Sequence, residues 1–446
     1  MLHRKTWGLS ITFALVAVAA GTMLGLLRGE RIYSGVRVAG TDLGGLTAEQ
    51  AEHALAPKAI ELAREQVVLG YADETLSTTF AEIGGRADVR ACVRAAYQVG
   101  REGNPLQRIR DIISARRHGR EIAVIYALDK GSASDYLRTL ARKIDRAPVN
   151  AKLVVEEGSI RAVPEKHGVE LNVEKSLERI AQAIGGGAGK ADLVVETAAA
   201  RITTADFRGI DGVLASYSTP YKPWERDRTH NLRIACQSVS GTLVKPGGVF
   251  GYNKVVGPRL KAYGFRDAPI FVRGEIEPGT GGGVCQVSTT VYNAALLANM
   301  KILRRSHHSR PVVYAPVGRD ATVAYPSPDL KFGNTTDAPI YIIASVGKRT
   351  VDVSILGKTH DGLEVQIVAA GHRVIGAPVV EEVEEDLEPG DRVLRKPGRS
   401  GHRVSIYRIV KLHGKVARKE LISNDYYRPD SRVIAVAQPA PAAEPT

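Results

Sequence analysis

Cysteine is scarce in this chain, which has three, Cys92, Cys236 and Cys285, among its 446 residues. An odd number at irregular spacing excludes a disulfide framework and a CxxC metal site, and at least one thiol has no partner in the chain. The sequence also lacks a nucleic-acid-binding motif, and its net charge of +13 is spread along the chain instead of forming one tract. Such a charge fits attraction to an anionic cell envelope better than a specific nucleic-acid site.

Charge is absent from residues 8–27, an apolar run that follows His3, Arg4 and Lys5. The run is about as long as a helix needs to be to span a bilayer core, and no A-x-A cleavage site follows it. We therefore predict a signal anchor in residues 1–30, with a cytoplasmic N-terminus and the rest of the chain on the extracytoplasmic face. The alternative is a cleaved signal peptide, which also leaves the body of the chain outside the cytoplasm.

The length allows two to four domains, and 44% hydrophobic with 24% charged residues is an ordinary globular composition. Residues 31–209 alternate helical and strand patterns. Thr47 followed three residues later by Gln50 predicts a capping box at a helix start. Further helices are predicted at 89–97, 132–144 and 173–184, and strands at 151–155 and 160–163 form a predicted hairpin. None of these elements carries an evident catalytic motif.

Residues 280–297 carry the strongest chemical signal. Three glycines lead to Cys285, after which Val287, Val291 and Ala294 recur at the spacing of a helix with one buried face. Free N–H groups and the helix dipole at a helix start favour a thiolate and suit a nucleophile, and the same groups could hold an oxyanion. Glycines before the cysteine would let a substrate carbonyl approach closely. Two alternatives stay open: an inert, buried cysteine, and a strand formed by the β-branched residues.

A thiol nucleophile needs a base, and histidine changes charge near neutral pH. His307 and His308 follow the cysteine helix within the same predicted domain, and adjacent side chains of an extended segment point to opposite faces, so one of the two can face the thiol. Asp320 and Asp329 are candidates for a third group that orients the imidazole. A zinc site built from Cys285 and both histidines is disfavoured, because no ligand spacing supports it.

Ordered strings in the chain resemble known envelope families. Residues 214–357 resemble the VanW domain through N-L-R-I-A, P-G-G-V-F-G-Y-N, G-G-G-V-C-Q-V-S-T-T-V-Y-N-A, H-S-R-P-V-V-Y, G-R-D-A-T-V and D-L-K-F-G-N, with Gly251 standing where the family more often has serine. The preceding region resembles the peptidoglycan-binding domain found before VanW domains, through G-V-x-V-x-G-x-D-L-G-G-L-T and A-Y-x-V-G-R-x-G-N. Strands and turns past residue 357 are similar to the G-five module, for which binding of envelope aminosugars is proposed.

The resemblance implies a cysteine-dependent L,D-transpeptidase that acts on peptidoglycan stems and glycan, without a cofactor or metal. The matching cysteine is Cys285, and His308 begins the H-S string. With Asp320 as the third group, these form the predicted catalytic set. The predicted substrate-binding residues are Gly282, Gly283, Gln286, Ser288, Thr289, Ser309 and Arg319. A peptidase that gives the thioester to water, and a non-catalytic wall-binding protein that modulates glycopeptide sensitivity, are the alternatives.

The predicted fold class is a multidomain α+β chain with a transmembrane anchor. The predicted parts are an anchor (1–30), which also makes the membrane a partner, an α+β peptidoglycan-binding region (31–209), an α+β VanW domain with a β-rich core (210–357), a small β module (358–437) and a disordered tail (438–446). Because the β module contains no cysteine, we expect its deletion to weaken retention on the wall and to leave the chemistry of Cys285 measurable.

Overall fold

A computed structural model of the chain describes residues 29–272, 275–388 and 390–438. Within these residues the chain forms two compact units. The first extends to Val149 and resumes for Lys166–Ala200, and the second takes Asn150–Glu165 and the chain from Arg201 onward. One hairpin within the sequence of the first unit therefore belongs to the second unit. A division of the chain at residue 209 does not include this insertion.

The helices and strands are short relative to the chain. The helices are α1 (Ala48–Ala63), α2 (Val89–Gln98), α3 (Pro105–His118), α4 (Lys130–Ile144), α5 (Val173–Gly185), α6 (Arg226–Val239), α7 (Tyr252–Val256) and α8 (Val284–Leu297). The strands of the first two thirds are β1 (Val36–Val38), β2 (Thr41–Asp42), β3 (Gln66–Tyr71), β4 (Glu74–Thr79), β5 (Gly85–Ala87), β6 (Arg120–Ile122), β7 (Tyr126–Leu128), β8 (Lys152–Glu156), β9 (Ser159–Val163), β10 (Gly168–Leu171), β11 (Lys190–Asp192), β12 (Val195–Ala198), β13 (Gly212–Pro220), β14 (Thr242–Val244), β15 (Val249–Gly251), β16 (Asp267–Val272) and β17 (Glu275–Thr280). The remaining strands are β18 (Lys301–Arg304), β19 (Lys331–Gly333), β20 (Ile340–Val346), β21 (Thr350–Gly357), β22 (Leu363–Ile375), β23 (Val379–Glu384), β24 (Arg392–Lys396), β25 (Gly401–Leu412), β26 (Lys415–Tyr427) and β27 (Arg432–Ala437).

The first unit is built from small sheets with helices α1 to α5 packed on them. Its sheets have the orders β2-β1-β6, β11-β3-β4, β10-β12 and β5-β7. The capping box at the start of α1 is confirmed, because Thr47 Oγ1 accepts from the Gln50 N–H at 3.3 Å and the Gln50 side chain accepts from the Thr47 N–H at 3.1 Å. The helices predicted at 89–97, 132–144 and 173–184 are confirmed as α2, α4 and α5.

The second unit is centred on a four-stranded antiparallel sheet of order β13-β21-β20-β14. Alternate side chains of β20 separate its two faces: Ile340 and Ile342 face the main core with α6 and α8, whereas Tyr341 faces a smaller core. That smaller core includes Leu153 of the β8–β9 hairpin, which was predicted at 151–163 and is confirmed. The hairpin therefore covers the face of the sheet opposite to the helices.

Helix α8 is buried on nearly all sides, because every residue from Gln286 to Leu296 is inaccessible to solvent. The prediction of a single buried face is therefore wrong. Its polar side chains bond internally: the Ser288 hydroxyl donates to Ala321 O at 2.5 Å, and the Thr290 hydroxyl lies 2.8 Å from Thr219 Oγ1. A buried polar group is tolerated when it is hydrogen-bonded, so these residues do not mark a solvent-facing side.

The strands after residue 357 form two three-stranded sheets, of orders β22-β25-β26 and β23-β27-β24. They belong to the same compact unit as α8. Val404, Ile406 and Tyr427 of the first sheet are buried together with Val317, which lies in the segment that follows the two histidines. This β module is therefore packed directly against the part of the chain where the catalytic set is predicted.

The predicted fold class needs a correction. Within the part of the chain that the structure describes, no helix has the length and apolarity required to cross a bilayer. The described chain is a mixed α/β structure with many small sheets, and it gives no support to a transmembrane anchor. The predicted span, residues 8–27, and most of the predicted disordered tail lie outside the described residues.

Candidate active site

A cavity of about 480 Å³ lies at the N-terminal end of α8. Its walls include the three glycines before the helix, Gly281–Gly283, which we call the glycine turn. They also include Cys285, His308, Tyr314, Arg228 and Arg259. The nucleophile and base that were predicted from the sequence therefore face one space. A cavity with few convergent polar groups is the usual form of a small-molecule site.

The glycine turn is fixed by its backbone conformation and by close packing. Gly281 and Gly283 have φ of +89° and +109°, values that side chains with a Cβ rarely adopt. A Cβ on Gly282 would lie 2.6 Å from Pro269 O and 2.7 Å from Ala268 O of β16. The space beside Gly282 is therefore taken by a strand rather than left for a substrate, although all three glycines line the cavity.

The first turn of α8 leaves the backbone N–H of Cys285 available to a ligand. The Val284 N–H donates to Gly281 O at 3.2 Å, and the Gln286 N–H donates to Gly283 O at 2.8 Å. Among the described residues, the Cys285 N–H between them has no hydrogen-bond acceptor. The general expectation of free donors at this helix start therefore holds for the amide of the cysteine itself.

The Cys285 thiol is partly exposed, and its Sγ lies 3.4 Å from Val323 O and 3.7 Å from Thr322 Oγ1. Burial raises the pKa of this thiol, but the hydrogen bond and positive charge of His308 outweigh burial, so that the pKa is lowered. In contrast, burial raises the pKa of Cys236 to about 12 and also raises that of Cys92. Cys285 is the cysteine whose surroundings favour the thiolate.

The imidazole of His308 connects the thiol to Asp320. His308 Nδ1 lies 2.5 Å from Asp320 Oδ2, and the His308 backbone N–H donates to the same oxygen at 2.7 Å. Burial opposes protonation of His308, but Asp320 and the Cys285 thiolate raise its pKa to about 9. With one ring nitrogen held by the carboxylate, the other is left to serve the thiol, and each group shifts the pKa of the other toward a thiolate–imidazolium pair.

His307 and Asp329, which the sequence offered as alternatives to His308 and Asp320, have other contacts. The Nδ1 of His307 lies 2.6 Å from His308 O, and its ring lies 4.8 Å from the Tyr427 ring. Asp329 accepts a hydrogen bond from the Asn253 N–H at 2.8 Å. The structure thus brings together Cys285, His308 and Asp320. His307 and Asp329 make their contacts with other residues.

Asp320 is itself held from two directions. Arg305 Nη2 lies 3.2 Å from Asp320 Oδ1, and Arg305 Nη1 lies 2.7 Å from both carboxylate oxygens of Asp425. The Tyr427 hydroxyl donates to Asp320 Oδ1 and accepts from the Gly318 N–H at 3.0 Å. Burial would raise the pKa of Asp320, but His308 and Arg305 lower it to about 2. Asp425 and Tyr427 lie on β26, so the β module helps to fix the carboxylate.

The predicted substrate-binding residues fall into two groups. Gly282, Gly283 and Gln286 line the cavity. The amide of Gln286 is nonetheless occupied by the protein, since it accepts from Arg228 Nη2 at 2.8 Å and donates to Pro220 O at 2.8 Å. Four do not line the cavity: Ser288 and Thr289 bond to Ala321, Arg319 Nε donates to Asn293 Oδ1 at 2.7 Å, and Ser309 is exposed elsewhere.

The described residues contain no cluster of three or more His, Cys, Asp or Glu side chains that could hold a metal ion. His307, the second histidine of the disfavoured zinc site, is turned to Tyr427. The chemistry available in the cavity is that of a thiolate, an imidazolium and hydrogen-bond donors.

Sequence comparison places this geometry in a known family. The uncharacterized protein YoaR of Bacillus subtilis (strain 168) is 33% identical over 248 residues, which are 52% of this chain and 81% of YoaR. The VanW like protein model matches residues 227–356, which include the whole cavity helix. The chain belongs to the VanW family. Two further models match around that domain, a peptidoglycan binding domain at 76–192 and a G5 domain at 368–437.

Two other comparisons cover smaller parts of the chain. The vancomycin B-type resistance protein VanW of Enterococcus faecalis (strain ATCC 700802 / V583) is 29% identical over 124 residues, 27% of this chain and 45% of that protein. The solved G5 domain of IgA1 protease is 20% identical, covers 18% of this chain and 95% of its own, and has a TM-score of 0.15. The family and its wall-associated domains support a cell-wall-related function and an envelope or extracellular location.

Sequence reasoning missed several residues of the site. Arg305 and Tyr427 contact Asp320, Asp425 contacts Arg305, and Arg259 lines the cavity. Tyr427 and Asp320 are separated by 107 positions, so no local spacing could have joined them. An arginine two residues before His307 was the nearest available signal, because a buried carboxylate is usually paired with a cation.

Proposed function

We propose that this protein is a peptidoglycan L,D-transpeptidase with Cys285 as nucleophile, His308 as proton carrier and Asp320 as the carboxylate that orients the imidazole. The observation that carries the proposal is the contact of His308 with both the Cys285 thiol and the Asp320 carboxylate, beside a cavity at a helix start. A nucleophile, a base and a group that orients the base are the shared elements of acyl-transfer sites.

In the first half-reaction, the Cys285 thiolate attacks the carbonyl carbon of the third residue of a donor stem. The Cys285 N–H, which has no acceptor among the described residues, is positioned to donate to the oxyanion. The bond from that carbonyl to the nitrogen of the terminal D-residue breaks, and the His308 imidazolium protonates the departing amine. The products are a thioester on Cys285 and a free D-amino acid.

In the second half-reaction, a neutral amine from an acceptor stem attacks the thioester carbonyl. His308, now neutral, takes the proton of that amine, and the carbon–sulfur bond breaks to restore the thiolate and the imidazolium. The new amide is a crosslink between third residues of two stems. The two steps replace one amide bond by another, so no external energy source or oxidant is required.

The substrate class is supported by the domains that accompany the VanW domain in the sequence. The chain carries a match to a peptidoglycan binding domain and one to a G5 domain, besides its VanW match. Domains of this kind would hold the wall polymer near the cavity and raise the local concentration of stems. We therefore assign the cavity to stem peptides rather than to a small soluble thiol-reactive metabolite.

The acyl-enzyme offers a direct test of this proposal. Purified full-length protein is mixed with a disaccharide tetrapeptide, quenched in acid within seconds, and analysed by intact-mass and peptide-level mass spectrometry. We expect an added mass equal to the disaccharide tripeptide acyl group, located on Cys285 and missing from Cys285→Ala. The same adduct on Cys285→Ala, or on Cys92 or Cys236, would contradict the assignment of the nucleophile.

A further inference from the structure

The guanidinium of Arg259 is buried and donates no hydrogen bond to the described part of the chain. Its Nε, Nη1 and Nη2 are all buried, and within the described residues none of them has a hydrogen-bond acceptor. Other arginines near the site are paired: Arg305 contacts Asp320 and Asp425, and Arg228 donates to Gln286. Removing a guanidinium from water without supplying an acceptor is strongly unfavourable, so this arrangement requires a reason.

The surroundings hold the Arg259 side chain in place. A Cβ on Gly281 would lie 2.8 Å from Arg259 Cβ and 3.1 Å from its Cγ, so the glycine turn provides the room for this stem. The guanidinium carbon lies 5.7 Å from the centre of the Tyr252 ring, and the Tyr252 hydroxyl is anchored to Val284 O at 3.1 Å. The turn that begins the Cys285 helix therefore also positions this arginine on the cavity wall.

The positive charge of Arg259 indicates which kind of ligand group the cavity would bind. Burial lowers the pKa of Arg259, yet an arginine side chain stays protonated in proteins. A positive charge that shares a cavity with a nucleophile, and whose N–H donors have no acceptor among the described residues, is suited to an anionic group on the substrate. Arginine binds carboxylates through two parallel N–H donors in a pre-organised planar fork.

We propose that Arg259 binds the free terminal carboxylate of the donor stem, on the leaving-group side of Cys285. This inference rests on the proposed transpeptidase function. When the carbonyl of the penultimate residue is attacked, the terminal carboxylate belongs to the residue that directly follows, and only that residue's nitrogen and Cα lie between the two groups. It must therefore enter the same cavity as the thiol. The subsite selects donors in which the scissile bond is followed by one residue with an unblocked carboxylate.

The first test compares two donors, a tetrapeptide stem and the same stem with a C-terminal carboxamide. For Arg259→Met we expect kcat/KM on the acid to fall about 10- to 100-fold, the range of a lost charge-assisted hydrogen bond, with little change on the carboxamide. Arg259→Lys should recover part of the preference for the acid. Arg266→Met is the matched control, since Arg266 is 55% exposed, pairs with Asp227 and does not line the cavity. Equal losses on both donors would overturn the subsite.

The second test does not depend on turnover of any peptide. Cys285 is alkylated with iodoacetate, an anion, and with the neutral iodoacetamide. The rate ratio of the anion to the neutral reagent should fall several-fold in Arg259→Met and stay unchanged in Arg266→Met. Thermal unfolding provides a third readout, because deleting an unpaired buried charge should raise the melting temperature of Arg259→Met rather than lower it.

The two hypotheses fail in different ways. If wild-type protein turns over no stem peptide but the alkylation ratio depends on Arg259, the anion site stands and the transpeptidase proposal falls. If wild-type protein is active and Arg259→Met keeps its full preference for the acid, the transpeptidase proposal stands and the subsite falls. An unchanged alkylation ratio together with a lower melting temperature would assign Arg259 a purely structural role.

Discussion

The hydroxyl of Tyr427 provides a sharp test of whether the β module belongs to the active site. Tyr427 is fully buried, and its hydroxyl donates to Asp320 Oδ1 while it accepts from the Gly318 N–H at 3.0 Å. Tyr427→Phe removes that oxygen and keeps the ring. Asp320 Oδ1 is then left with Arg305 as its contact, and the buried Gly318 N–H loses its acceptor.

The expected loss of stability in Tyr427→Phe follows from these two hydrogen bonds. A hydrogen bond to a charged group contributes about 1.5–3 kcal/mol, and an unsatisfied buried N–H costs about 1–3 kcal/mol. Because the two effects share one site and are not additive, we expect the free energy of unfolding to fall by about 2–4 kcal/mol. At roughly 2–4 °C per kcal/mol for a unit of this size, the melting temperature should fall by about 5–15 °C.

Activity should change in a pattern that a general loss of stability does not produce. Tyr427 does not line the cavity, so substrate affinity should be nearly unaffected. A less firmly held Asp320 lets His308 depart from its alignment with the thiol, and kcat should fall by roughly 10- to 100-fold. Kinetics are measured well below the melting temperature of the variant, with near-ultraviolet circular dichroism confirming that the protein is folded.

The neighbouring Tyr426 is the matched control. It lies on the same strand and is 51% exposed, so Tyr426→Phe should alter neither stability nor kcat. A Tyr427→Phe protein with wild-type melting temperature and wild-type kcat would refute the reasoning. The same contacts argue against the expectation that the β module can be deleted without harm to the chemistry of Cys285.

Two further predictions concern the thiol and its base. Cys285 should react with iodoacetamide at neutral pH faster than Cys92 and Cys236, because burial raises the pKa of the latter two and His308 lowers that of Cys285; equal rates in folded protein would make Cys285 an inert core residue. His308→Ala should reduce kcat by about 10²–10⁴-fold, more than His307→Ala. His308→Ala should also move the acid limb of the alkylation profile to higher pH, since the thiol then loses the group that most strongly offsets the effect of burial on its pKa. The reverse order of the two variants would contradict the geometry.

Protonation states set the pH range in which the pair works. His308 has a raised pKa of about 9, so its contribution to stability is complete below the ordinary histidine pKa and is lost as pH rises through about 9. The pKa of Cys285 is lowered, so its thiolate contributes stability above the ordinary thiol pKa and loses it as pH falls through the lowered value. The thiolate–imidazolium pair is therefore complete between that lowered value and about pH 9.

Local patterns in the sequence predicted the elements that depend on neighbouring residues. The capping box of Thr47 and Gln50, the hairpin at 151–163 and the position of Cys285 at a helix start all follow from short spacings. The burial of α8 did not follow, because Ser288 and Thr290 have the composition of a solvent-facing side. Their partners lie on other elements, and periodicity contains no information about them.

Long-range contacts account for the rest of the site. Asp425 contacts Arg305 and Tyr427 contacts Asp320, each across more than a hundred residues, and Arg259 enters the cavity from the loop after α7. Neither a helical nor a strand period links such positions. The glycines were recognised as a special turn, but the strand that packs on Gly282 was not, since only the folded arrangement brings β16 there.

The products formed from a defined substrate test the central claim most directly. Purified protein is incubated with disaccharide tetrapeptides, and the mixture is separated and read by mass spectrometry, with Cys285→Ala as the matched variant. We predict a crosslinked dimer that has lost one terminal D-residue, together with the free D-amino acid, and neither product with Cys285→Ala. A tripeptide monomer without dimer would instead indicate a peptidase. No turnover by protein that binds the peptide, or full activity of Cys285→Ala, would contradict the account.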